Sequence, residues 1–265
     1  RRALFGRFGV TGLVNVDLTP ELAAKLGGAF GATLKVGSTV TMNRDVSKTA
    51  RMMKRAMISG LPATGVNVAD LENVPIPVAR YYTRVSSAAG GVHVRLSPYD
   101  RRVVDIKFFD ADGLSLSKNL ERDIERAFFR EDFRRVYLDD IGAIDYASEV
   151  TARYRSGFLN ALNVEAIRQA KFQVVVDYAH APSSIVLPSL LSELACDVIS
   201  LNSGLDAERM SIEREQFDSD LDRLGRITGA VHAAFGLRFD VGGEKMFLVN
   251  HLGELIPDPT VCAAL

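Results

Sequence analysis

Short apolar runs alternate along this chain with stretches of helical periodicity, and that alternation restricts the available folds more than any other feature. Thr39–Met42, Val66–Asp70, Val92–Leu96, Phe172–Asp177 and Asp197–Leu201 have the length of strands and are largely apolar. Between them lie helical stripes such as Leu22, Ala23, Leu26, Ala29, Phe30 and Leu34, or Met53, Ala56, Met57 and Leu61. Strands covered on both faces read as near-continuous apolar segments, and amphipathic crossovers of 10–15 residues return the chain to start a parallel neighbour. The predicted class is α/β with mainly parallel sheets.

Local punctuation supports the same order. Thr19 followed by Pro20 and Glu21 is an N-cap, a proline at the first helical position and an acid in the first turn. Gly37 closes that helix, and Ser47 or Thr49 can cap the next. Pro75 and Pro77 interrupt the chain before a helix near Val78–Tyr82. A strand over Val103–Phe109 ends in the turn Asp110–Gly113, and a charged helix runs from about Ser117 to Arg134. The second half reads as a helix over Tyr146–Leu162, a helix capped by Ser183 or Ser184 and ending near Leu194, and a helix over Glu213–Ile227. Strands follow over Val231–Asp240 and Met246–Val249. A length of 265 residues holds one large or two modest domains, and the acidic segment Asp139–Asp145 marks the expected boundary.

Charge and cysteine usage narrow the functions. With 32 Lys and Arg against 33 Asp and Glu, no basic excess points to nucleic acid. No apolar run approaches the roughly 20 residues that span a bilayer, so no membrane partner is expected. Cys196 and Cys262 stand far apart without metal-ligand spacing, which fits a reducing cytoplasm better than a disulfide framework. The opening Arg1-Arg2-Ala3 and the closing Cys262–Leu265 are read as the cut ends of a longer protein's region.

Four stretches lie where parallel α/β units gather ligands, at the carboxyl ends of strands. Phe8–Leu13 carries Gly9, Thr11 and Gly12, a loop whose amides and hydroxyl could hold phosphate, or an ordinary turn. Asn43-Arg44-Asp45 follows a strand and could orient a loop, or form a surface ion pair. His93, Arg95 and Ser97 alternate into the loop Ser97–Arg102; period two puts them on one face, with Ser97 at the loop entrance as a candidate nucleophile or as a turn residue. Asp240–Lys245 offers Asp240 and Glu244 as hard oxygen ligands, or forms a Gly-Gly hairpin turn. His180, His232 and His251 are scattered.

In order and spacing the four resemble the α-D-phosphohexomutase family of phosphomannomutases and phosphoglucomutases. Phe8–Asn15 resembles the opening Phe-Gly-Thr-Ser-Gly-Ile-Arg-Gly segment, with Thr11 at the Ser position and Val14 at the Arg. Asn43-Arg44-Asp45, Gly60-Leu61 and Gly65–Asp70 follow the Gly-Arg-Asp, Gly-Leu and Gly-x-x-Val landmarks, with Ile76-Pro77 in place of Thr-Pro. Ser97 falls on the phosphoserine of the Thr-Ala-Ser-His-Asn-Pro loop and Lys107 on its later Lys, although Pro98, Tyr99 and Asp100 depart from the pattern. The metal loop Asp-Gly-Asp-x-Asp-Arg becomes Asp240-Val241-Gly242-Gly243-Glu244-Lys245.

The resemblance implies consecutive α/β/α three-layer domains with mainly parallel mixed sheets. One would span residues 1–138 and a second 139–228, with the start of a truncated third over 229–265. It implies hexose phosphate as substrate and Ser97 as phosphoryl carrier, with Arg44 and Lys107 as catalytic partners. Gly9, Thr11, Gly12 and Arg95 would bind phosphate, and Asp240, Glu244 and Ser97 would hold Mg²⁺, which needs its oxygen ligands in near-octahedral array. The altered loops imply a weakened metal site and impaired catalysis, with a non-catalytic sugar-phosphate-binding or docking module as the alternative. The likeness is greatest to the mutase-like portion of bacterial fusions with a sugar nucleotidyltransferase of the mannose-1-phosphate guanylyltransferase kind, which implies such a domain in the parent chain. Residues 97 and 240–245 are expected to face a shared anionic guest.

Overall fold

A computed structural model of the protein describes residues 3–260. The chain divides into two compact units, the first taking the chain up to Ser97 and Arg101–Val150, the second Pro98–Asp100 and Thr151 onward.

The first unit is built on a six-stranded sheet in the order β1-β5-β4-β2-β3-β6. Its strands are β1 (Val10–Leu13), β2 (Thr39–Arg44), β3 (Asn67–Asp70), β4 (Gly90–Leu96), β5 (Val103–Asp110) and β6 (Ile144–Tyr146). β2 runs parallel to β3 and β4, and β3 parallel to β6, because helices carry the crossovers; β5 is antiparallel to both β4 and β1. Helices α1 (Pro20–Ala32) and α2 (Lys48–Gly60) cover one face, with α4 (Lys118–Arg130) beside α1. There Val40, Met42, Val92, Val94, Val104 and Ile106 pack with Leu26, Phe30, Met53 and Met57, each such side chain contributing about 1.5–3 kcal/mol on full burial. Helices α1 and α2 approach closely through two glycines. A Cβ at Gly27 would overlap the Met57 carbonyl oxygen, and one at Gly60 the Ala24 carbonyl oxygen. Helix α3 (Ile76–Val85) lies on the opposite face, where Thr83 and Thr41 share a hydroxyl hydrogen bond of 2.6 Å.

The second unit holds a four-stranded sheet in the order β10-β9-β7-β8. These strands are β7 (Gln173–Asp177), β8 (Asp197–Leu201), β9 (Phe235–Phe239) and β10 (Met246–Val249). β7 pairs in parallel with β8 and β9, and β10 folds back antiparallel on β9. Alternation along β7 serves two layers. Val174 and Val176 pack with Leu187 and Leu191 of α7 (Ser183–Glu193), while Val175 packs with Leu221 and Leu224 of α8 (Arg214–Ala230). Each unit is thus an α/β/α sandwich, the fold class expected. Among the described residues no helix is long and apolar enough to cross a membrane.

The caps Thr19 and Ser47 form as read, accepting from the amides of Leu22 and Ala50. Other expectations are corrected. The first unit continues past Asp139 to Val150, because Ile144–Tyr146 adds a strand beside β3. Strands β9 and β10, placed by sequence at the start of a third domain, complete the second sheet, since β9 needs β7 as its hydrogen-bonding partner. The helix expected from Tyr146 begins at Val150 as α5 (Val150–Asn160), and the short α6 (Val164–Ala170) was not anticipated. Helix α7 has Pro182 at its N-cap and no side-chain cap from Ser183 or Ser184. Phe8–Leu13, read as a loop, contains strand β1. Cys196 is a free, half-buried thiol; Cys262 lies outside the described residues.

Candidate functional site

In the first unit the parallel strands β2, β3 and β4 end at one sheet edge, bringing Arg44-Asp45, Asp70 and Leu96-Ser97 to neighbouring positions. Ser97 directly follows β4, is 9% exposed, and donates its amide to the Val103 carbonyl at 2.9 Å. On the other side of β4 lies Asp45. Its amide donates to the Val94 carbonyl at 3.0 Å, and its carboxylate accepts from the amides of Leu96 at 2.7 Å and Ser47 at 2.8 Å. Burial lifts the Asp45 carboxyl above its ordinary pKa, while hydrogen bonds from Ser47 and Leu96 and the charge of Arg44 oppose that rise.

Arg44 is buried too. It donates to the Asp45 carbonyl at 2.7 Å and faces Glu72 at 3.7 Å. Burial, helped by Arg51, pulls its pKa below the usual guanidinium value against Glu72, Asp45 and Asp70. Next to it the buried Lys54 pairs with Asp70, and burial lowers the Lys54 pKa against that pairing. The positive and negative groups at this edge therefore hold one another.

One step in from the edge, a polar line crosses three strands. Asp105 of β5 accepts from the Thr11 hydroxyl of β1 at 2.8 Å and from Arg95 Nε of β4 at 3.2 Å. Both partners sit opposite Asp105 in register, so the pairing follows from the ladder itself. Farther along, Lys107 lies opposite His93, which in turn lies opposite Asn43. Gly9 has φ +91°, and a Cβ there would overlap the Ile106 carbonyl oxygen; this glycine serves strand packing.

In the second unit the turn between β9 and β10 holds the remaining candidates. Asp240 Oδ1 accepts from the amides of Glu244 at 2.7 Å and Lys245 at 2.9 Å, and Gly243 takes the left-handed φ of +75°. The carboxylate caps its own hairpin. Beneath the turn, Arg238 pairs with Asp177, its register partner on β7, and reaches Asp220 at 3.3 Å. Asp177 also accepts from Asn202 at 3.0 Å and from the Ala179 amide at 2.9 Å.

Comparison with known proteins decides the family. Residues 2–135 match the model for phosphoglucomutase/phosphomannomutase alpha/beta/alpha domain I, and residues 152–253 match that for domain II. The chain belongs to this family. It is 34% identical over 96% of its length to a phosphoglucomutase/phosphomannomutase of Thermococcus kodakarensis, covering 56% of that protein. It is 26% identical over 95% of its length to a phosphoglucosamine/phosphogalactosamine mutase of Sulfurisphaera tokodaii, again covering 56%. Among solved structures, a phosphoglucomutase/phosphomannomutase family protein from Burkholderia thailandensis superposes with a TM-score of 0.78 at 19% identity, over 97% of this chain and 56% of that one. A phosphoglucomutase from Paramecium, the exocytosis-sensitive phosphoprotein parafusin, gives 0.73 at 13% identity, over 95% and 53%. These two show the fold alone. The chain spans about half the length of the curated relatives it matches.

Against this family frame, the residues predicted for phosphate and catalysis divide. The first unit gathers Ser97 and Arg44 at one edge, with Arg95 and Thr11 one step behind. Lys107 lies two residues deeper than Asp105, level with His93, and Gly9 and Gly12 belong to strand packing. Members of the family generally depend on Mg²⁺. The residues of the Asp240–Lys245 turn do not fit a family metal loop. Gly242 supplies no carboxylate where the pattern has its middle ligand, and one oxygen of Asp240 already takes two amides. Among the described residues, no group of three or more His, Cys, Asp or Glu side chains is placed to hold a metal ion.

Sequence reasoning read Asp45 with Arg44 as a pair that could orient a loop or form a surface ion pair, and it did not single out Asp105. A signal existed for Asp105, a lone acid within the apolar run Val103–Phe109 at the same parity as Lys107. For Asp45 a further signal was its place directly after a strand and two residues before Ser47, a spacing suited to a local carboxylate–amide turn.

Proposed function

We propose that this chain is the hexose-phosphate-handling portion of a phosphohexomutase-type protein, with Ser97 as phosphoryl carrier and with impaired catalysis. In the reaction proposed, the bond between phosphorus and the Ser97 oxygen breaks as phosphorus bonds to a sugar hydroxyl, whose proton passes to the serine oxygen. The second half-reaction returns a phosphoryl group from the other sugar position to Ser97. The observation carrying this reading is the seat of Ser97 at the carboxyl end of buried β4, with the Leu96 amide donating to the Asp45 carboxylate on one flank and the Ser97 amide to the Val103 carbonyl on the other. Arg44 and Arg95 contribute positive potential at and behind that edge, each anchored by an acid. Mg²⁺ in this family supplies charge neutralisation at the transferring group, and the Asp240–Lys245 turn, whose Asp240 caps its own amides, does not fit it.

The test is incubation with glucose 1,6-bisphosphate and Mg²⁺ followed by intact mass. A gain of one phosphoryl group, absent in Ser97→Ala, supports the carrier role. A chain that never gains it while still binding glucose 6-phosphate supports the second reading, a non-catalytic sugar-phosphate-binding module, which the self-capped Asp240 turn favours. A nucleotidyltransferase domain in the same parent chain, with a role in sugar-nucleotide synthesis, belongs to the proposal. The parent open reading frame tests it directly.

A further inference from the structure

Strand β4 must end somewhere, and where it ends decides how firmly Ser97 is held. The β2–β4 ladder closes at the pair Arg44 and Val94, so the amide of Leu96 has no backbone acceptor on β2. Leu96 is 7% exposed, too buried for water to satisfy that donor. The Asp45 side chain takes the place of a further strand residue. One of its oxygens accepts from Leu96, the other from Ser47, which in turn caps α2 by accepting from the Ala50 amide at 3.0 Å. Its own amide has already joined Val94. A single buried carboxylate thus ties the last residue of β4 to the start of α2, while Val103 of β5 holds the amide of Ser97 from the opposite side.

We infer that Asp45 is a positioning residue for Ser97, its carboxylate fixing the end of β4 so that the serine oxygen is presented in one place while the loop beyond is free to vary. The inference rests on the carrier reading of Ser97. It accounts for a pairing of features that otherwise look contradictory. The loop after Ser97 departs from the family pattern at Pro98, Tyr99 and Asp100, yet the strand leading into it is clamped on both sides. Arg44 does not neutralise the clamp directly, since it donates to the Asp45 carbonyl and faces Glu72. The carboxylate is instead held by two amides, which want an acceptor on both oxygens. Asparagine satisfies only one of them and turns an NH₂ group toward the other.

The experiment compares the parent chain with Asp45→Asn by two measurements. The first is the rate at which each takes a phosphoryl group from glucose 1,6-bisphosphate, read by intact mass. In that step the bond from phosphorus to a sugar oxygen breaks, the bond to the Ser97 oxygen forms, and the serine proton passes to the departing sugar oxygen. The expected result is a rate lower by roughly tenfold to a hundredfold, the scale for ångström-level misplacement of a reacting group, with unchanged affinity for glucose 6-phosphate. The second is amide hydrogen exchange by NMR. Leu96 and Ser97 should exchange at least tenfold faster in the variant, with Val92 and Val94 unchanged, which separates a local release from general loss of stability. In the parent chain the Leu96 and Ser47 amide resonances should titrate together with one midpoint, a measurement that stands even where the variant folds poorly. Equal phosphorylation rates, or Leu96 and Ser47 resonances that do not titrate together, overturn the inference. A parent chain that takes up no phosphoryl group overturns the carrier reading of Ser97 itself, and with it the role assigned to Asp45.

Discussion

His93 gives this fold a sharp test, because burial leaves both its ring nitrogens without a hydrogen-bond partner among the described residues. It lies in the middle of β4, opposite Asn43 on β2 and Lys107 on β5, and is 2% exposed. Among the described residues neither ring nitrogen has a hydrogen-bond partner, and Asn43 Oδ1 on the neighbouring strand lacks one too. Burial, and then the nearby cations Arg95, Lys107 and Arg80, hold its pKa well below the usual 6.5. The folded chain therefore keeps His93 neutral, whereas the unfolded chain protonates it as pH falls past the ordinary value. Between those two pKa values the unfolded state binds the extra proton, so stability is complete above about pH 6.5 and is lost as pH falls through the window. Each pH unit within that window costs at most about 1.4 kcal/mol.

His93→Met removes the titration and both orphaned nitrogens at once. The variant should lose this contribution to the acid slope and gain about 1–3 kcal/mol at neutral pH, the cost of a buried unsatisfied polar group. Urea unfolding at several pH values reads the effect by far-ultraviolet circular dichroism, since the chain has no tryptophan. Hydrogen exchange of the β4 amides reports the first unit by itself. Stability curves for parent and variant that run parallel from pH 8 to 5 would refute the reasoning, because His93 would then titrate alike in both states.

Three further outcomes follow from the same kind of accounting. Asp105→Ala should destabilise the first unit by about 3–5 kcal/mol, since it strands the buried Arg95 guanidinium; denaturant midpoints check this, and Asp105→Asn should cost less. Arg238→Ala should cost the second unit a similar roughly 3–5 kcal/mol by leaving Asp177 and Asp220 without their shared cation, read from the same denaturant midpoints. Gly60→Ala should destabilise the α1–α2 contact by about 1–3 kcal/mol, although alanine favours helix, because its Cβ would strike the Ala24 carbonyl; thermal unfolding gives the sign.

The elements that sequence reasoning found are those whose signals are local. Thr19-Pro20-Glu21 and Ser47 carry their own capping chemistry, and Asp197–Leu201 and Met246–Val249 are strands to the residue. What escaped depended on partners distant in the chain. Val10–Leu13 becomes a strand only because β5, about ninety positions later, offers Val103–Ile106 as an antiparallel partner. Ile144–Tyr146 is exposed along its length and has no apolar signature, yet it pairs with β3, and that pairing moved the boundary expected at Asp139. At the candidate site, motif order singled out Ser97 and Arg44 and offered Arg44-Asp45 as a loop-orienting pair. The actual partners of Asp45 and Asp105 were not legible, since Leu96 of β4 supplies an amide to the first and Arg95 of β4 a guanidinium to the second.

The loop after β4 and the turn between β9 and β10 are held in different physical ways. In the first unit, loop residues after Ser97 differ from the pattern while the acids that hold the surrounding backbone and cations are buried and fully engaged: Asp45 with two amides, Asp105 with Thr11 and Arg95, Asp70 with Lys54. Such groups resist replacement, because removing one partner of a buried polar pair exposes the other to the full cost of desolvation. In the second unit, Asp240 caps the amides of its own turn, which holds Gly242 and Gly243. A turn held by such local bonds has no buried partner on another strand to leave stranded when a residue is replaced. Folding stability therefore bears more heavily on the acids around β4 than on the turn at residues 240–245.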